Sequence, residues 1–326
     1  MSFILSSKSL FSCINHPDIE FPFERFDALL RDVGWESSEW IDFWLKHDGP
    51  NLASSSLATG TKLDWIWGLS LPFLSDVRRS TFNKNKRTLF GISALPGCGK
   101  TSFGNWLEEA AKELNFSVKV ISLDDFYLPA EELELAMKGN PWGVPRALPG
   151  SHSISLLKES IDNWLTSGFL KAPTFDKALR DGLGDRSGWS QCNPDVLILE
   201  GWFLGCEPME SFIQEDLISK SIEPKLTDRE KIYRENIQEL LLEYLPIWKR
   251  INRMWHILAN DFSSSLQWKV HQELEMFKTR GASLEGESLQ SFLRMIQCAI
   301  PQESLKNIKS DVVIEVDKSR RIVSIL

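Results

Sequence analysis

The sequence is poor in cysteine, and the five it has, Cys13, Cys98, Cys192, Cys206 and Cys298, stand far apart with no C-x-x-C pair. An odd, scattered set argues against a disulfide framework or a zinc site and for reduced thiols in a cytosol. No apolar run approaches the roughly 18 residues that a membrane-spanning helix needs. Met1 to Asn15 is serine-rich but lacks a long apolar stretch behind a basic region, so it does not read as a secretory signal; a short organellar transit segment stays open as the alternative, though it carries little basic charge. The expectation is a cytoplasmic chain with no membrane partner. Positive charge is also short, with 37 Lys and Arg against 45 Asp and Glu and a formal net charge of −8. A general binder of a nucleic-acid backbone needs a basic face, so no nucleic-acid partner is expected, while a local basic cleft for a small anion is compatible with this balance. Internal repeats and low-complexity tracts are absent, which excludes a solenoid.

What is present is enough apolar material for a sizeable core. The chain has 326 residues, 42% of them hydrophobic, which fits one large domain or two modest ones. The most informative stretch is Ala94-Leu95-Pro96-Gly97-Cys98-Gly99-Lys100-Thr101. It matches the phosphate-binding loop G-x-x-x-x-G-K-[S/T], with Ala94 in place of the first glycine, a position that mainly has to be small. An apolar strand candidate, Thr88 to Ser93, leads into it, and a helix candidate, Ser102 to Leu114, leads out. That order sets a turn of free backbone N–H groups at a helix N-terminus, where anions are stabilised. Lys100 is placed to reach the β- and γ-phosphates, and Thr101 to offer its hydroxyl to Mg²⁺. Cys98 reads as a small filler residue, with oxidation sensitivity as the alternative.

Residues 1–85 differ from the rest. Glu24 to Val33 and Ser37 to Lys46 read as short amphipathic helices, and Trp40, Phe43 and Trp44 share a face at helical spacing. With Trp65 and Trp67 they predict core or interdomain packing more readily than a ligand box. The polar, basic residues 80–87 mark a boundary. Beyond it, strand signals at Ser117–Leu123, Asp195–Leu199, His256–Ala259 and Asp311–Val316 alternate with helix signals at Ser153–Ser167, Asp228–Leu245, Leu266–Arg280 and Ser288–Gln297. Arg321–Ile325 is either a hairpin partner of the strand before it or a final extension. This alternation predicts an α/β fold, a three-layer α/β/α arrangement on a mostly parallel sheet, as residues 86–326 behind a helical segment, 1–85.

Two further stretches carry chemistry. Ser122-Leu123-Asp124-Asp125-Phe126-Tyr127 follows the second strand, at the end where open α/β sheets bind ligands. One of its carboxylates can accept the proton of an attacking hydroxyl, and the competing account is a helix-capping or turn acid. Leu197-Ile198-Leu199-Glu200-Gly201-Trp202 puts an acid after a buried apolar strand, the Walker B arrangement that holds Mg²⁺ near the γ-phosphate.

A phosphate loop, then D-D-F-Y, then a hydrophobic strand ending in E-G resembles the phosphoribulokinase, uridine kinase and pantothenate kinase superfamily of P-loop kinases. Within it, Pro145-Arg146-Ala147-Leu148-Pro149-Gly150-Ser151-His152, Ala172 to Leu179, Gly182 to Arg186 and Trp268 to Glu273 resemble D-glycerate 3-kinases of the plant and cyanobacterial type. The resemblance covers roughly residues 86–318 with the motifs in order. It departs at Ala147 and Ser153, where the family has Gly and Asp, at Leu95-Pro96, at Lys269, where Arg is usual, and in Gly281 to Leu289, a reduced form of the family's lid pattern.

The resemblance implies an ATP-dependent, Mg²⁺-assisted kinase that makes 3-phosphoglycerate from D-glycerate, in a photorespiratory or serine-linked role. Asp124, Lys100 and Arg186 are the implied catalytic residues. Asp125, Tyr127, Arg146, His152 and Lys177 are the implied substrate contacts. The loop from Ala94 through Ser102, with Lys269, would hold ATP, and Thr101 and Glu200 the metal. A hydroxy-acid substrate needs a cation for its carboxylate, which favours Arg146 and Arg186, with Arg180 also in these stretches. Lys269 and Arg280 share one predicted helix that reads as a lid or as a solvated charged face. His16, His47 and His256 sit in no motif. The departures keep two other readings open: a kinase for a nucleoside, a pantothenate-like molecule or a sugar phosphate, and an ATP-binding protein whose catalysis has decayed.

Overall fold

The computed structural model describes residues 23–57, 60–83, 86–209, 222–280 and 283–326. The leader reading of Met1 to Asn15, Cys13, His16 and the Gly281-Ala282 part of the lid pattern lie outside the described residues.

Six strands form one sheet in the order β2-β5-β1-β6-β7-β8. They are β1 (Leu89–Ala94), β2 (Val118–Ser122), β5 (Val196–Gly201), β6 (Arg253–Ala259), β7 (Val312–Val316) and β8 (Ile322–Ile325). All pairs are parallel except β7 with β8, so Arg321–Ile325 is the hairpin partner. Every residue of β1 and β5 is buried. Their unbroken apolar runs suit a parallel sheet covered on both faces. The strand read as His256–Ala259 begins earlier, at Arg253.

Among the described residues the α-helices of five residues or more are α1 (Phe23–Asp32), α2 (Ser37–Lys46), α3 (Leu71–Ser80), α4 (Lys100–Glu113), α5 (Ala130–Met137), α6 (Ile154–Ser167), α7 (Asp228–Leu241), α8 (Ser263–Arg280), α9 (Gly286–Cys298) and α10 (Gln302–Lys306). The predicted helix Asp228–Leu245 stops at Leu241 because the chain tightens into a 3₁₀ turn, Leu242–Tyr244, ahead of Pro246. A second, two-stranded antiparallel sheet joins β3 (Leu170–Asp176) and β4 (Asp185–Cys192). It was not anticipated as strands. Pro173 speaks against a strand interior, and the edge position resolves the conflict, since proline is tolerated there.

The tryptophan-rich segment shares one hydrophobic core with the sheet. Trp40, Trp44 and Trp67 are fully buried, as the shared face predicted, and belong to the cluster that runs on through the strands. Ser75 Oγ accepts both indole N–H groups of Trp40 and Trp44, at 2.9 and 3.1 Å. Asp76, buried on α3, accepts from Arg253 Nε at 2.7 Å and from Trp255 Nε1 at 3.0 Å, both on β6. Arg253 also pairs with Asp32 of α1. A buried carboxylate is tolerable only with such partners, and removing one partner of such a pair typically costs about 3–5 kcal/mol.

Candidate active site

Sheet register sets the site. Ser122 at the end of β2 pairs with Glu200 of β5, and Glu200 pairs with Ile92 of β1, two residues before the phosphate loop begins. Three strand ends thus deliver the loop, Glu200 and the turn that carries Asp124 to one edge of the sheet. They open into a cavity of about 380 Å³ whose lining includes Pro96 to Phe103, Ser122, Asp124, Lys177, Glu200, Trp202, Lys269 and Arg320.

The loop has the form an anion needs. Gly97 has φ +76° and Gly99 φ +107°. A Cβ on Gly97 would sit 2.6 Å from the carbonyl carbon of Trp268, so only glycine lets α8 lie directly on the loop. At Gly99 nothing lies within 4 Å of an added Cβ, which leaves open space above the first turn of α4. Lys100 Nζ folds back on its own loop and donates to the carbonyls of Ala94 at 2.7 Å and Leu95 at 3.3 Å. Burial pushes the Cys98 thiol up to about 11, against the pull of Lys100 and Arg320. A thiol so protonated and enclosed is a packing residue with little reactivity.

Asp124 and Asp125 part ways. Both lie in a 3₁₀ turn, Leu123–Phe126, capped by Ser122. Asp125 Oδ2 accepts the Ser122 N–H at 2.9 Å and completes a capping box. Burial raises its pKa. Asp124 faces the cavity. Its Oδ2 accepts from Lys177 Nζ at 2.7 Å and its Oδ1 from the Tyr127 hydroxyl at 2.7 Å. Burial works to raise its pKa, but the charge and hydrogen bond of Lys177 outweigh it and hold the carboxyl well below the usual carboxylate range. Burial pushes Lys177 the other way, yet Asp124 keeps its pKa raised. Asp124 is therefore an ionised acceptor and Lys177 a fixed cation.

Glu200 is 5% exposed, and burial raises its pKa against the pull of Lys100. His152 stacks on Tyr127, with ring centroids 4.6 Å apart, and its Nδ1 meets the Tyr244 hydroxyl at 2.8 Å. Burial lowers its pKa to about 4, so the ring is neutral near pH 7, and its buried Nε2 has no partner among the described residues. Arg146 and Arg186 stand outside the cavity lining. Arg146 Nη1 donates to the carbonyls of Gly182 and Leu183 at 2.7 and 2.9 Å, and Arg186 Nε to the Tyr127 carbonyl at 3.1 Å. These guanidiniums hold loops in place around the cavity. Arg180 reaches away to Glu134. Lys269 on α8 lines the cavity, pairs with Glu273 and lies 4.7 Å from the Phe292 ring centroid. Burial lowers its pKa.

Two contributors escaped the sequence reading. Arg320, in the turn between β7 and β8, donates from Nη2 to the Gly97 carbonyl at 2.8 Å and lies over the Trp268 ring. The N-terminal segment also supplies Leu57, Thr61, Lys62 and Trp65 to the cavity wall. No local pattern marks either one. Among the described residues no helix is long and apolar enough to cross a membrane, and no group of three or more His, Cys, Asp or Glu side chains forms a metal cluster.

No family model matches the chain. It is 30% identical to the uncharacterized kinase mug58 of Schizosaccharomyces pombe over 198 residues, 57% of this chain and 69% of that one. Its identity to the chloroplastic D-glycerate 3-kinase of Arabidopsis thaliana is also 30%, over 218 residues, 63% of this chain and 45% of the longer plant protein. The structure superposes on D-glycerate 3-kinase from Cryptococcus neoformans with a TM-score of 0.66 at 24% identity, covering 82% of this chain and 99% of that one. That match shows the shared P-loop kinase fold, with its mostly parallel sheet behind helices. A cavity floored by the phosphate loop, in a chain this similar to mug58, leads to one statement: the protein belongs to the family of ATP-dependent P-loop kinases that includes mug58 and D-glycerate 3-kinase.

Proposed function

We propose that the chain transfers the γ-phosphoryl group of ATP to a hydroxyl of D-glycerate, forming 3-phosphoglycerate and ADP. The observation that carries this reading is that ionised Asp124, buried Glu200 and the Lys100 loop share one cavity, with Lys177 clamped on Asp124. Loop amides and Lys100 would hold the triphosphate at the start of α4. Asp124 would take the proton of the acceptor hydroxyl as that oxygen bonds to the γ-phosphorus and the bond to the ADP oxygen breaks. Lys177 lies where it can meet the acceptor carboxylate as well as orient Asp124.

The residues also fit Mg²⁺. Glu200 is buried without an ion-pair partner among the described residues and lines the same cavity as Thr101, so that the two supply oxygen donors of the kind Mg²⁺ accepts along with phosphate oxygens. Bound there, the ion would offset charge on the phosphates. Lys269 and Arg320 add positive charge around the same phosphates. In this reading residues 86–326 carry the chemistry, and the segment before them seals one side of the cavity.

A different small acceptor is the second reading, favoured by one observation. Arg146, the best carboxylate-recognising side chain by type, is spent on two carbonyls, and Ala147 lines the cavity in its place. Coupled detection of ADP across D-glycerate, a nucleoside, pantothenate and a pentose phosphate separates the readings. D-Glycerate is expected to lead in kcat/KM by at least about tenfold, a transition-state difference of roughly 1.4 kcal/mol. A clear lead for another acceptor would replace D-glycerate. Tight ATP binding with no transfer in a single turnover would point to decayed catalysis.

A further inference from the structure

The cavity has a second end that phosphoryl transfer leaves unused, and the sheet order says what it faces. The γ-phosphate has to lie beside Asp124 and Glu200, at the ends of β2 and β5, and both strands are on one side of β1. A triphosphate draped over the turn between β1 and α4 therefore directs its α-phosphate and nucleoside to the other side, toward β6, β7 and β8. The wall there comes from the N-terminal segment. Leu57, Thr61, Lys62 and Trp65 line it, in the same cavity as Arg320.

This wall is anchored. Asp64 Oδ2 accepts the Ile322 N–H at 3.1 Å, which ties the segment to β8. Trp106 Nε1 of α4 donates to the Leu52 carbonyl at 2.8 Å. Trp65 meets Phe103, two residues beyond Thr101, edge to face at 6.5 Å. Arg320 holds the Gly97 carbonyl with Nη2, while its buried Nε has no partner among the described residues. Apolar Leu57 and Trp65, with the Arg320 guanidinium lining the same cavity, suit a planar base and its sugar.

We propose that Leu57, Thr61, Lys62 and Trp65 form the base-and-ribose subsite for the nucleoside triphosphate, so that the N-terminal segment is a working part of the nucleotide site. The inference rests on the phosphate-site reading above. Its test compares MgATP with magnesium tripolyphosphate, which has the phosphates and no nucleoside, by calorimetry on the full chain. The unmodified protein is expected to bind MgATP at least about tenfold more tightly than tripolyphosphate. Thr61→Trp, which fills the subsite, should weaken MgATP by about tenfold or more and leave tripolyphosphate within about twofold. Leu57→Ala, a milder change that serves if the first variant fails to fold, should weaken MgATP alone by about threefold. Equal losses for both ligands, or none for MgATP, would overturn the subsite. So would an unmodified protein that binds tripolyphosphate as well as MgATP. An unmodified protein that binds neither ligand overturns the phosphate site itself and the subsite with it.

Discussion

The phosphate-loop end of this cavity and the end proposed to hold the acceptor are built by different means. At the phosphate end, eight consecutive residues supply the loop and strand register supplies Glu200, so main-chain hydrogen bonds fix the geometry. The acceptor end is assembled from distant stretches held by side chains. Lys177 follows β3 and pairs with Asp124, Trp202 Nε1 donates to the Ala147 carbonyl at 3.0 Å, and Arg146 grips the carbonyls of Gly182 and Leu183. The loop backbone is thus mostly local, with Arg320 and Trp268 the distant residues that brace it at Gly97. In the proposed reading acceptor choice depends on long-range packing, and Ala147 and Ser153, two of the departures from the glycerate kinase pattern, lie in those stretches.

Asp124→Asn should divide the two ends most sharply. The amide keeps the volume and loses the proton acceptor, so kcat is expected to fall by about 10²–10⁴-fold. MgATP affinity should stay within about twofold, because the side-chain hydrogen bonds of Asp124 go to Lys177 and Tyr127, outside the loop, and a tenfold change needs about 1.4 kcal/mol. Single-turnover rates and calorimetry measure the two quantities separately. A matching loss of MgATP affinity would show that the ends are one unit.

Lys177→Met gives the next largest effect and a sign that can be worked out. Lys177 is the main force holding the Asp124 pKa low against burial. Without it burial dominates and the pKa rises, so the base is protonated at a higher pH. The acid limb of kcat/KM should move to higher pH, so that activity is lost at a higher pH on acidification than in the unmodified protein. A rise in acceptor KM that is the same at every pH would leave Lys177 as a substrate contact that does not tune the base.

The difference between the ends also decided what could be read from the sequence. The loop, Asp124 and Glu200 lie in short windows whose meaning depends on a strand before and a turn or helix after, and alternation made those elements visible. Trp40 and Trp44 revealed their burial by spacing alone. Arg320 and Leu57 gave no such signal, because the nearest landmark is the phosphate loop and only sheet order and the Asp64–Ile322 bond bring them to it. Arg146 and Arg186 were recognised as cations in the right stretches, but composition cannot tell a guanidinium that meets a ligand from one that ties carbonyls. Asp125 next to Asp124 poses the same difficulty, since adjacent residues of one type turn to a capping box and to the cavity.

Backbone conformation separates the two ends in the same way. The phosphate loop places glycine at its left-handed positions, and at Gly97 the close approach of Trp268 forbids anything larger. The acceptor loop has Ala147 at φ +82°, also left-handed, lining the cavity. A Cβ in that region costs roughly 1–2 kcal/mol, while glycine gives back about 0.5–1 kcal/mol through the freedom it gains in the unfolded chain. Ala147→Gly is therefore expected to stabilise the protein by a net amount between zero and about 1.5 kcal/mol, read from the denaturant midpoint at constant slope. The Trp202 hydrogen bond survives the change because it uses the Ala147 carbonyl. A destabilised variant would mean that the Ala147 methyl earns its place by packing in the acceptor wall, which would make it a shape determinant there and distinguish it from the glycines of the phosphate loop.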